Sequence, residues 1–204
     1  MAIKTETRDR MIQAALDLFH LQGVKGTSID EVLARSGTGK SQFAHYFRTK
    51  DGLVHAVLQY LHELIRSGKA RTGYRLNSWA DLEGWFEQYI RFQREVHCER
   101  SCPMATIGND LAADQELLRQ DLRLFLEWSG GQLARFFAER KAAGELSAAA
   151  DPDALAALCL TVMQGGMLLS KIRRDTTTFE RAAEQALAYI RSLRKVDRDS
   201  FRGR

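Results

Sequence analysis

Residues 28–47 read SIDEVLARSGTGKSQFAHYF, and this stretch decides the fold. Ser28 and Glu31 match a capping box, in which the serine hydroxyl and the glutamate carboxylate each satisfy a backbone amide at a helix start. Gly37 and Gly39 mark a tight break, because glycine tolerates the left-handed backbone that a sharp turn needs. A second, short helix follows the break. The stretch therefore predicts a helix-turn-helix.

The second helix of this motif, predicted over 40–47, has residue types that suit a DNA-reading element. Phe43 and Phe47 would pack on its buried face. The turn and the outer face would then carry Thr38, Gly39, Lys40, Ser41, Gln42, Ala44 and His45. Lysine neutralises phosphate, glutamine can pair with the edge of adenine, and small residues allow close approach. The pattern predicts contact with double-stranded DNA, although helical hairpins with a glycine turn also occur in proteins that bind nothing.

Apolar residues recur at three- and four-residue spacing along nearly the whole chain, which predicts an all-α fold of about nine helices. The predicted helices are 7–21, 28–35, 40–47, a fourth capped by Thr49, a fifth starting near Ser78, 104–112, 114–143, 152–173 and a last one capped by Thr178 and ending near Lys195. We predict a three-helix DNA-binding domain in 1–50, a larger effector-binding and dimerisation domain in 51–195, and a basic, disordered tail in 196–204.

Composition and charge exclude several classes. The chain has 204 residues with 2 prolines and 3 cysteines, so it is neither collagen-like nor a disulfide-stapled secreted scaffold. Its net charge is +4, and 35–50 contains four basic residues and no acid. This favours contact with a polyanion, although a solvated face gives the same pattern. The first ten residues lack a signal peptide's apolar core, and the longest uncharged run, 154–170, is short for a membrane span. We expect a cytoplasmic protein without membrane contact.

Aromatic and methionine side chains are abundant between the connector near residue 71 and the uncharged run. The candidate effector-pocket residues are Trp79, Trp85, Phe86, Tyr89, Cys102, Met104, Trp128, Met163 and Met167. The tryptophans and Tyr89 carry polar atoms that need partners when buried, which favours a cavity with hydrogen-bonding capacity. An ordinary core gives the same aromatic stripe.

Residues 97–104 read HCERSCPM and place Arg100 between Cys98 and Cys102. A cation lowers the pKa of a nearby thiol and makes it more reactive, so Cys102 is a candidate redox or electrophile switch, with Cys98 as its resolving partner. A buried structural cysteine is the alternative. A zinc site lacks a second pair of ligands at usable spacing, and we predict no metal and no cofactor. Cys159 should belong to the core.

The last two predicted helices have the character of an interface. Residues 154–169 are too uniformly apolar for a helix with a solvent face, and the pair Gly165-Gly166 would allow close helix approach. The candidate dimer-interface residues are Leu155, Leu158, Val162, Gly166, Leu169, Leu187 and Ile190. Burial of both helices within one monomer is the alternative.

The sequence GTGKSQFAHYFRTKDGL at 37–53 resembles the recognition-helix signature of the tetracycline-repressor (TetR) family of bacterial transcription regulators. AALDLF at 14–19 and GVKGTSIDEVLA at 23–34 match its first two helices. The resemblance implies a homodimer whose larger domain binds a small molecule that weakens DNA binding. The Cys102-Pro103 turn also resembles a subset of the family, some of whose members sense electrophiles through such a cysteine.

The resemblance also implies roles for single residues. Its DNA-contact positions fall on the phosphate-binding hydroxyl Thr27, the basic Lys40, the base-reading Gln42, His45 at a phosphate-touching site, and Lys50 at the start of the fourth helix. Ala44 stands where the family frequently has tyrosine, so the operator sequence cannot be carried over.

Three function classes follow from these observations. A ligand-responsive repressor that binds a near-palindromic operator as a homodimer accounts for both parts of the chain. An enzyme is disfavoured, because the sequence has no metal-ligand set, no phosphate loop and no nucleophile with a base at recognised spacing. A nonspecific DNA-binding protein should be far more basic, and the acidic balance of 61–190 argues against it.

Overall fold

The computed structural model describes residues 2–195, and the predicted disordered tail at 196–204 lies outside them. The described residues form nine α-helices and no β-sheet. The helices are α1 (Ala2–Gln22), α2 (Ile29–Ser36), α3 (Lys40–Tyr46), α4 (Lys50–Arg66), α5 (Trp79–Glu95), α6 (Pro103–Asn109), α7 (Glu116–Ala142), α8 (Pro152–Arg173) and α9 (Thr177–Ser192). The predicted all-α fold is confirmed.

The helix ends of the N-terminal motif are set by local hydrogen bonds. The Glu31 amide donates to Ser28 Oγ at 3.2 Å, and the Ser28 amide donates to Glu31 Oε2 at 2.7 Å, which is the predicted capping box. Gly37 closes α2 with φ at 64°, a left-handed conformation that costs glycine little. Thr49 Oγ1 accepts from the Gly52 amide at 3.0 Å and so starts α4 as predicted.

Helix α1 is packed on both halves of the molecule. It contacts α2 of the helix-turn-helix and also α4 and α6 of the larger domain. Met11, Ile12, Ala15 and Phe19 are buried along it at helical spacing. Burial of one large apolar side chain contributes about 1.5–3 kcal/mol, so this row holds the helix-turn-helix to the rest of the chain.

The larger domain is built around α8, which packs on α5, α7 and α9. Its core contains large, fully buried side chains from each neighbouring helix: Trp85 and Phe86 of α5, Phe136 and Phe137 of α7, and Phe179 of α9. Cys159 lies in this core, as predicted. Gly166 of α8 lies so close to the Phe179 ring that an added Cβ would overlap the ring.

Two local predictions were wrong. Thr176, not Thr178, is the N-cap of α9, and its hydroxyl is bonded to the Glu180 carboxylate. Cys98 and Cys102 lie in the irregular segment between α5 and α6, with Cys98 at φ 56°. Cys98 was predicted as the resolving partner of Cys102 on the assumption that the two are four residues apart on one helix, and that helical spacing is absent.

The contact of Gly166 with Phe179 gives a stability test. Gly166→Ala should lower the free energy of unfolding by about 1–3 kcal/mol, because the new methyl group forces the ring to move in a packed core. Gly131→Ala is the matched control, since Gly131 is exposed within α7 and an added Cβ would meet no atom within 4 Å. It should be neutral, or stabilising by up to about 1 kcal/mol. Urea unfolding at one fixed protomer concentration measures both; equal stability of Gly166→Ala and wild type would contradict the packing.

Candidate DNA-binding surface and effector cavity

The predicted DNA-reading residues lie together on the outside of α3. The exposed side chains on this helix are Lys40, Ser41, Gln42, Ala44 and His45. Phe43 and Phe47 are buried beneath them, with ring centroids 5.6 Å apart. A recognition helix needs this arrangement, because the face that enters a groove must be polar while the opposite face holds the helix in place.

Two residues of this face have partners within the protein. Lys40 Nζ lies 3.1 Å from Asp30 Oδ1 of α2, and both side chains are largely exposed. Such a surface pair is worth under about 1 kcal/mol, so a DNA phosphate can replace the carboxylate. The Gly39 amide donates to Gln42 Oε1 at 2.9 Å, and Gln42 thereby fixes the start of its own helix.

The phosphate contact predicted for Thr27 does not fit its position. Thr27 is 2% exposed, and its hydroxyl donates to the Gly23 carbonyl at 2.8 Å. That bond satisfies the hydroxyl inside the turn between α1 and α2. Thr38 is half-buried, with its hydroxyl 2.6 Å from that of Ser36, and Lys50 is half-buried at the start of α4.

A cavity of about 190 Å³ lies where the DNA-binding unit meets the larger domain. Its walls come from α1, α4, α5, α6, α7, α8 and the connector between α4 and α5. Its lining is Leu16, His20, Leu61, Leu64, Ile65, Ala70, Arg71, Thr72, Tyr74, Tyr89, Phe92, Cys102, Pro103, Met104, Phe125, Met163, Gln164 and Met167. A wider groove of about 390 Å³ along 68–88 is more open and more polar, so it suits an apolar ligand less well.

The predicted pocket residues divide into two groups. Tyr89, Cys102, Met104, Met163 and Met167 line the cavity. The prediction was wrong for Trp79, Trp85, Phe86 and Trp128, which do not line it.

The excluded aromatic residues have structural partners. Trp79 Nε1 donates to Glu145 Oε2 at 2.6 Å, and the Arg194 guanidinium lies 4.6 Å from the centroid of the Trp79 ring. Trp85 and Phe86 are buried in the core. Trp128 packs on Tyr74, with ring centroids 5.2 Å apart. Helical spacing identified these residues as apolar but could not tell a cavity wall from the core beside it.

Three residues that line the cavity, His20, Tyr74 and Gln164, were missing from the predicted pocket. His20 is in the last turns of α1, which the sequence assigned to the DNA-binding unit, and Tyr74 is in the connector. Gln164 could have been found, because it is the only amide side chain within the uncharged run 154–170.

Three polar side chains of the cavity, His20, Tyr74 and Tyr89, are uncharged at neutral pH. Burial lowers the pKa of His20 to about 4, with a further lowering from Arg100 and an opposing effect of Asp17. Burial raises the pKa of Tyr74 to about 12 and raises that of Tyr89 well above its ordinary value. The cavity therefore presents an uncharged imidazole and two uncharged phenols at neutral pH.

The environment of the cysteines does not favour the predicted thiol switch. Burial raises the pKa of both Cys98 and Cys102, whereas the prediction required a lowered one. Arg100 points its guanidinium to within 3.9 Å of Asp17 Oδ1. The thiolate, which is the reactive form, is therefore disfavoured at Cys102.

The predicted interface residues are only partly on the surface. Leu155, Gly166 and Ile190 are buried within the protomer, so they were wrongly assigned to an intermolecular contact. Leu158, Val162 and Leu187 are half-buried, and Leu169 is exposed. The exposed large apolar residues of these two helices are Leu168, Leu169, Ile172 and Tyr189. The periodicity was sound, but it could not separate the face of α8 that meets α7 and α9 from the face that stays open.

Helix α8 also passes a length-and-composition test for crossing a membrane, the one helix in residues 2–195 to do so. Its close packing against α5, α7 and α9 is equally typical of the central helix of a folded domain.

Comparison with known proteins adds two family matches. Residues 79–186 match the family described as tetracyclin repressor-like, C-terminal domain, and residues 11–57 match bacterial regulatory proteins of the tetR family. The chain is 29% identical over 166 residues to the transcriptional regulator AcuR of Cereibacter sphaeroides, covering 79% of this chain and 75% of that protein. It is 25% identical over 187 residues to an uncharacterized HTH-type transcriptional regulator of Mycobacterium tuberculosis, covering 85% and 88%.

Solved structures share the fold. A TetR transcriptional regulator from Chloroflexus aurantiacus superposes with a TM-score of 0.80 at 23% identity, covering 96% of this chain and all of that one. Regulatory protein TetR from Rhodobacter sphaeroides gives 0.75 at 24% identity, covering 89% and 97%. Both structures align with most of this chain, so the likeness in fold includes the helix-turn-helix and the larger helical domain together.

Burial of His20 predicts a specific acid sensitivity. Its pKa falls from 6.5 to about 4 on folding, so the unfolded chain binds a proton first as the pH is lowered. The imidazole's contribution to stability is present above pH 6.5 and is lost towards pH 4. Between pH 7 and pH 4, wild type should lose about 3 kcal/mol more unfolding free energy than His20→Asn. Urea unfolding at both pH values measures the difference; parallel losses in the two proteins would contradict the burial of a neutral imidazole.

Proposed function

Because the chain belongs to the tetracycline-repressor family of transcriptional regulators, we propose that it is a ligand-responsive repressor. It binds a near-palindromic operator as a homodimer through residues 1–50, and it releases the operator when a small apolar or aromatic molecule fills the cavity in the domain formed by 51–195. It does this in the cytoplasm, where bacterial DNA lies.

The observation that carries this proposal is the composition of the cavity wall. Leu16 and His20 belong to α1, the helix that also supports the DNA-reading motif, while Met163 and Gln164 belong to the central helix of the other domain. A molecule in this cavity touches both units at once. Its binding can therefore favour one relative arrangement of the two over another, which is what coupling between sites requires.

Helix α6 provides a second connection between cavity and DNA-binding unit. Cys102, Pro103 and Met104 at its start line the cavity. Asp110 at its end accepts from the Lys25 amide at 3.1 Å, in the turn that joins α1 to α2. The helix is seven residues long, so a displacement of about 1 Å at its start is transmitted to that turn as a rigid-body movement.

The exposed apolar side of α8 and α9 supports the dimer. Ile172 is 68% exposed and Tyr189 54%, and Leu168 and Leu169 lie on the same helix as Ile172. A two-fold pairing through this side presents two copies of α3 to one face of the DNA. The two half-sites then lie about 34 Å apart, which is one turn of DNA. The two-fold symmetry of the dimer makes the operator near-palindromic.

The DNA contacts can be tested with variants that should change DNA affinity in opposite directions. Lys40→Ala should weaken binding to operator and random DNA alike and reduce the salt slope by about one ion, because one phosphate contact is lost. Asp30→Asn should strengthen both, since it removes the carboxylate that competes for Lys40. Gln42→Ala should instead lose about 1–3 kcal/mol of binding free energy for the selected operator and relax the sequence preference at one base pair. Fluorescence anisotropy over a salt series, with an operator selected from random duplexes, measures all three; wild-type behaviour in all of them would refute the assignment of α3.

The dimer surface can be tested with two equally exposed leucines. Leu168 of α8 and Leu126 of α7 are each 44% exposed. Leu168→Arg should give monomers, because it places a charge without a partner in the proposed interface, whereas Leu126→Arg should remain dimeric. Sedimentation velocity at micromolar protomer measures the result. A monomeric wild type, or a dimeric Leu168→Arg, would contradict the proposed pairing.

A further inference from the structure

Two buried polar atoms that lack a hydrogen-bond partner among the described residues belong to residues that line the effector cavity. They are His20 Nε2 on α1 and Gln164 Oε1 on α8. A buried polar atom without a partner costs about 1–3 kcal/mol, so each is a position that a bound molecule would satisfy. The two lie on opposite units of the molecule, one on the DNA-binding side and one on the central helix of the larger domain.

Both atoms are acceptors. The imidazole of His20 is uncharged, so one ring nitrogen carries a proton and the other does not. A hydrogen bond to the Ser101 backbone raises the pKa of His20, so the ring donates that bond; because Nε2 has no partner, we assign the proton to Nδ1 and the lone pair to Nε2. Gln164 Nε2 donates to Cys102 Sγ at 3.5 Å, so the free atom of that amide is its carbonyl oxygen.

The size of the cavity limits the ligand. A protein cavity of about 150 Å³ lined by apolar side chains holds one benzene molecule. The cavity described here measures about 190 Å³, and most of its lining residues are leucine, isoleucine, alanine, methionine, phenylalanine or proline. It therefore has room for one aromatic ring with a short substituent.

Arg100 and Lys171 lower the pKa of His20 and Asp17 raises it, so charges of both signs lie near this end of the cavity. The two unpartnered acceptors are what disfavours an anionic ligand. A carboxylate would bring two further acceptor oxygens towards His20 Nε2 and Gln164 Oε1. Arg71 is the cation of the lining, and its guanidinium is 3.3 Å from Glu95 and largely exposed to solvent. Because the Arg71 side chain is largely exposed, water and salt screen its charge, whereas an anion in the cavity would face the two buried acceptors directly.

We propose that the effector is a small neutral molecule, about one aromatic ring in size, whose hydroxyl or N–H group donates a hydrogen bond to His20 Nε2 while its ring fills the apolar part of the cavity. Gln164 Oε1 accepts from a second donor where the molecule has one. This rests on the proposed function of the cavity as the effector site. It assigns to His20 a role in ligand recognition, and it makes the ligand a direct contact of α1.

The test uses phenol, toluene and benzoate as probes. They share one ring and differ in carrying a donor, no polar group, or a carboxylate. Binding to the purified full-length protein is measured by isothermal titration calorimetry without DNA. Phenol should bind at least about 10-fold more tightly than benzoate. A tighter complex with benzoate would overturn the assignment of a neutral ligand, and the absence of binding by both phenol and toluene would overturn the assignment of size.

The role of His20 is tested by the ratio of the toluene and phenol dissociation constants. His20→Asn keeps a donor near the position of Nδ1 and removes the acceptor at Nε2, so the preference for phenol should fall about 10-fold. His20→Gln returns an amide oxygen near the position of Nε2 and should restore much of the preference. His62→Asn is the matched control, because His62 also has an unpartnered buried Nε2 but does not line the cavity. It should keep the wild-type ratio.

The outcomes separate the two proposals. The same toluene-to-phenol ratio in wild type and His20→Asn would refute the present inference, whatever phenol does to DNA binding. A ratio that falls as expected supports it, even if phenol leaves operator affinity unchanged; that second result would count against the proposed function alone. Circular dichroism of each variant confirms that the ratio is measured on folded protein.

Discussion

The packing of α1 against both units is the constraint on which the rest of the structure depends. Met11, Ile12, Ala15 and Phe19 are buried along this helix, which contacts α2 on one side and α4 and α6 on the other. Protein interiors are close-packed, so α1 cannot shift against one unit without repacking the other. Helix α3, the proposed recognition helix, follows α2 in the chain, and α2 packs on the same α1 that forms one wall of the cavity.

This arrangement explains why the cavity and the DNA-reading face can influence each other without a long pathway. His20 is in the last turns of α1, and the turn that follows contains Gly23. An added Cβ at Gly23 would lie 2.7 Å from Asp110 Oδ2, so the end of α6 presses closely on that turn. A ligand in the proposed site would therefore touch both α1, at His20, and the start of α6, at Met104. The sign of the effect on DNA binding depends on which arrangement the ligand stabilises.

Local signals in the sequence predicted the helices and the exposed position of the polar residues on α3 well. The capping box at Ser28, the turn at Gly37 and the outward position of Gln42 all follow from short-range chemistry that the neighbouring residues determine. The cavity was predicted only in part. Trp79 and Cys102 both belong to apolar stripes, yet one packs against Glu145 and Arg194 while the other lines the cavity. A helical period shows which residues turn inward, but the distance between two inward faces, which separates core from cavity, is set by the whole fold.

The same limit explains the dimer surface and the thiols. Gly166 was read as a site of close approach, which is correct, but the approaching group is Phe179 of the same chain. Arg100 was expected to activate Cys102, but its guanidinium lies near Asp17, and burial acts on the thiol instead. In both cases the type of interaction was predicted correctly but the contacting residue was not, because the tertiary fold determines which distant residues meet.

The central claim is that filling the cavity and binding DNA are coupled through α1. The most direct measurement is the affinity of phenol for the free dimer and for the dimer saturated with a selected operator duplex. By linkage, the factor by which phenol changes operator affinity always equals the factor by which the operator changes phenol affinity, so one measurement gives both. The account predicts that phenol and operator weaken each other's binding by a factor well above one, and by a smaller factor in His20→Asn. Identical phenol affinity in the presence and absence of operator would contradict it.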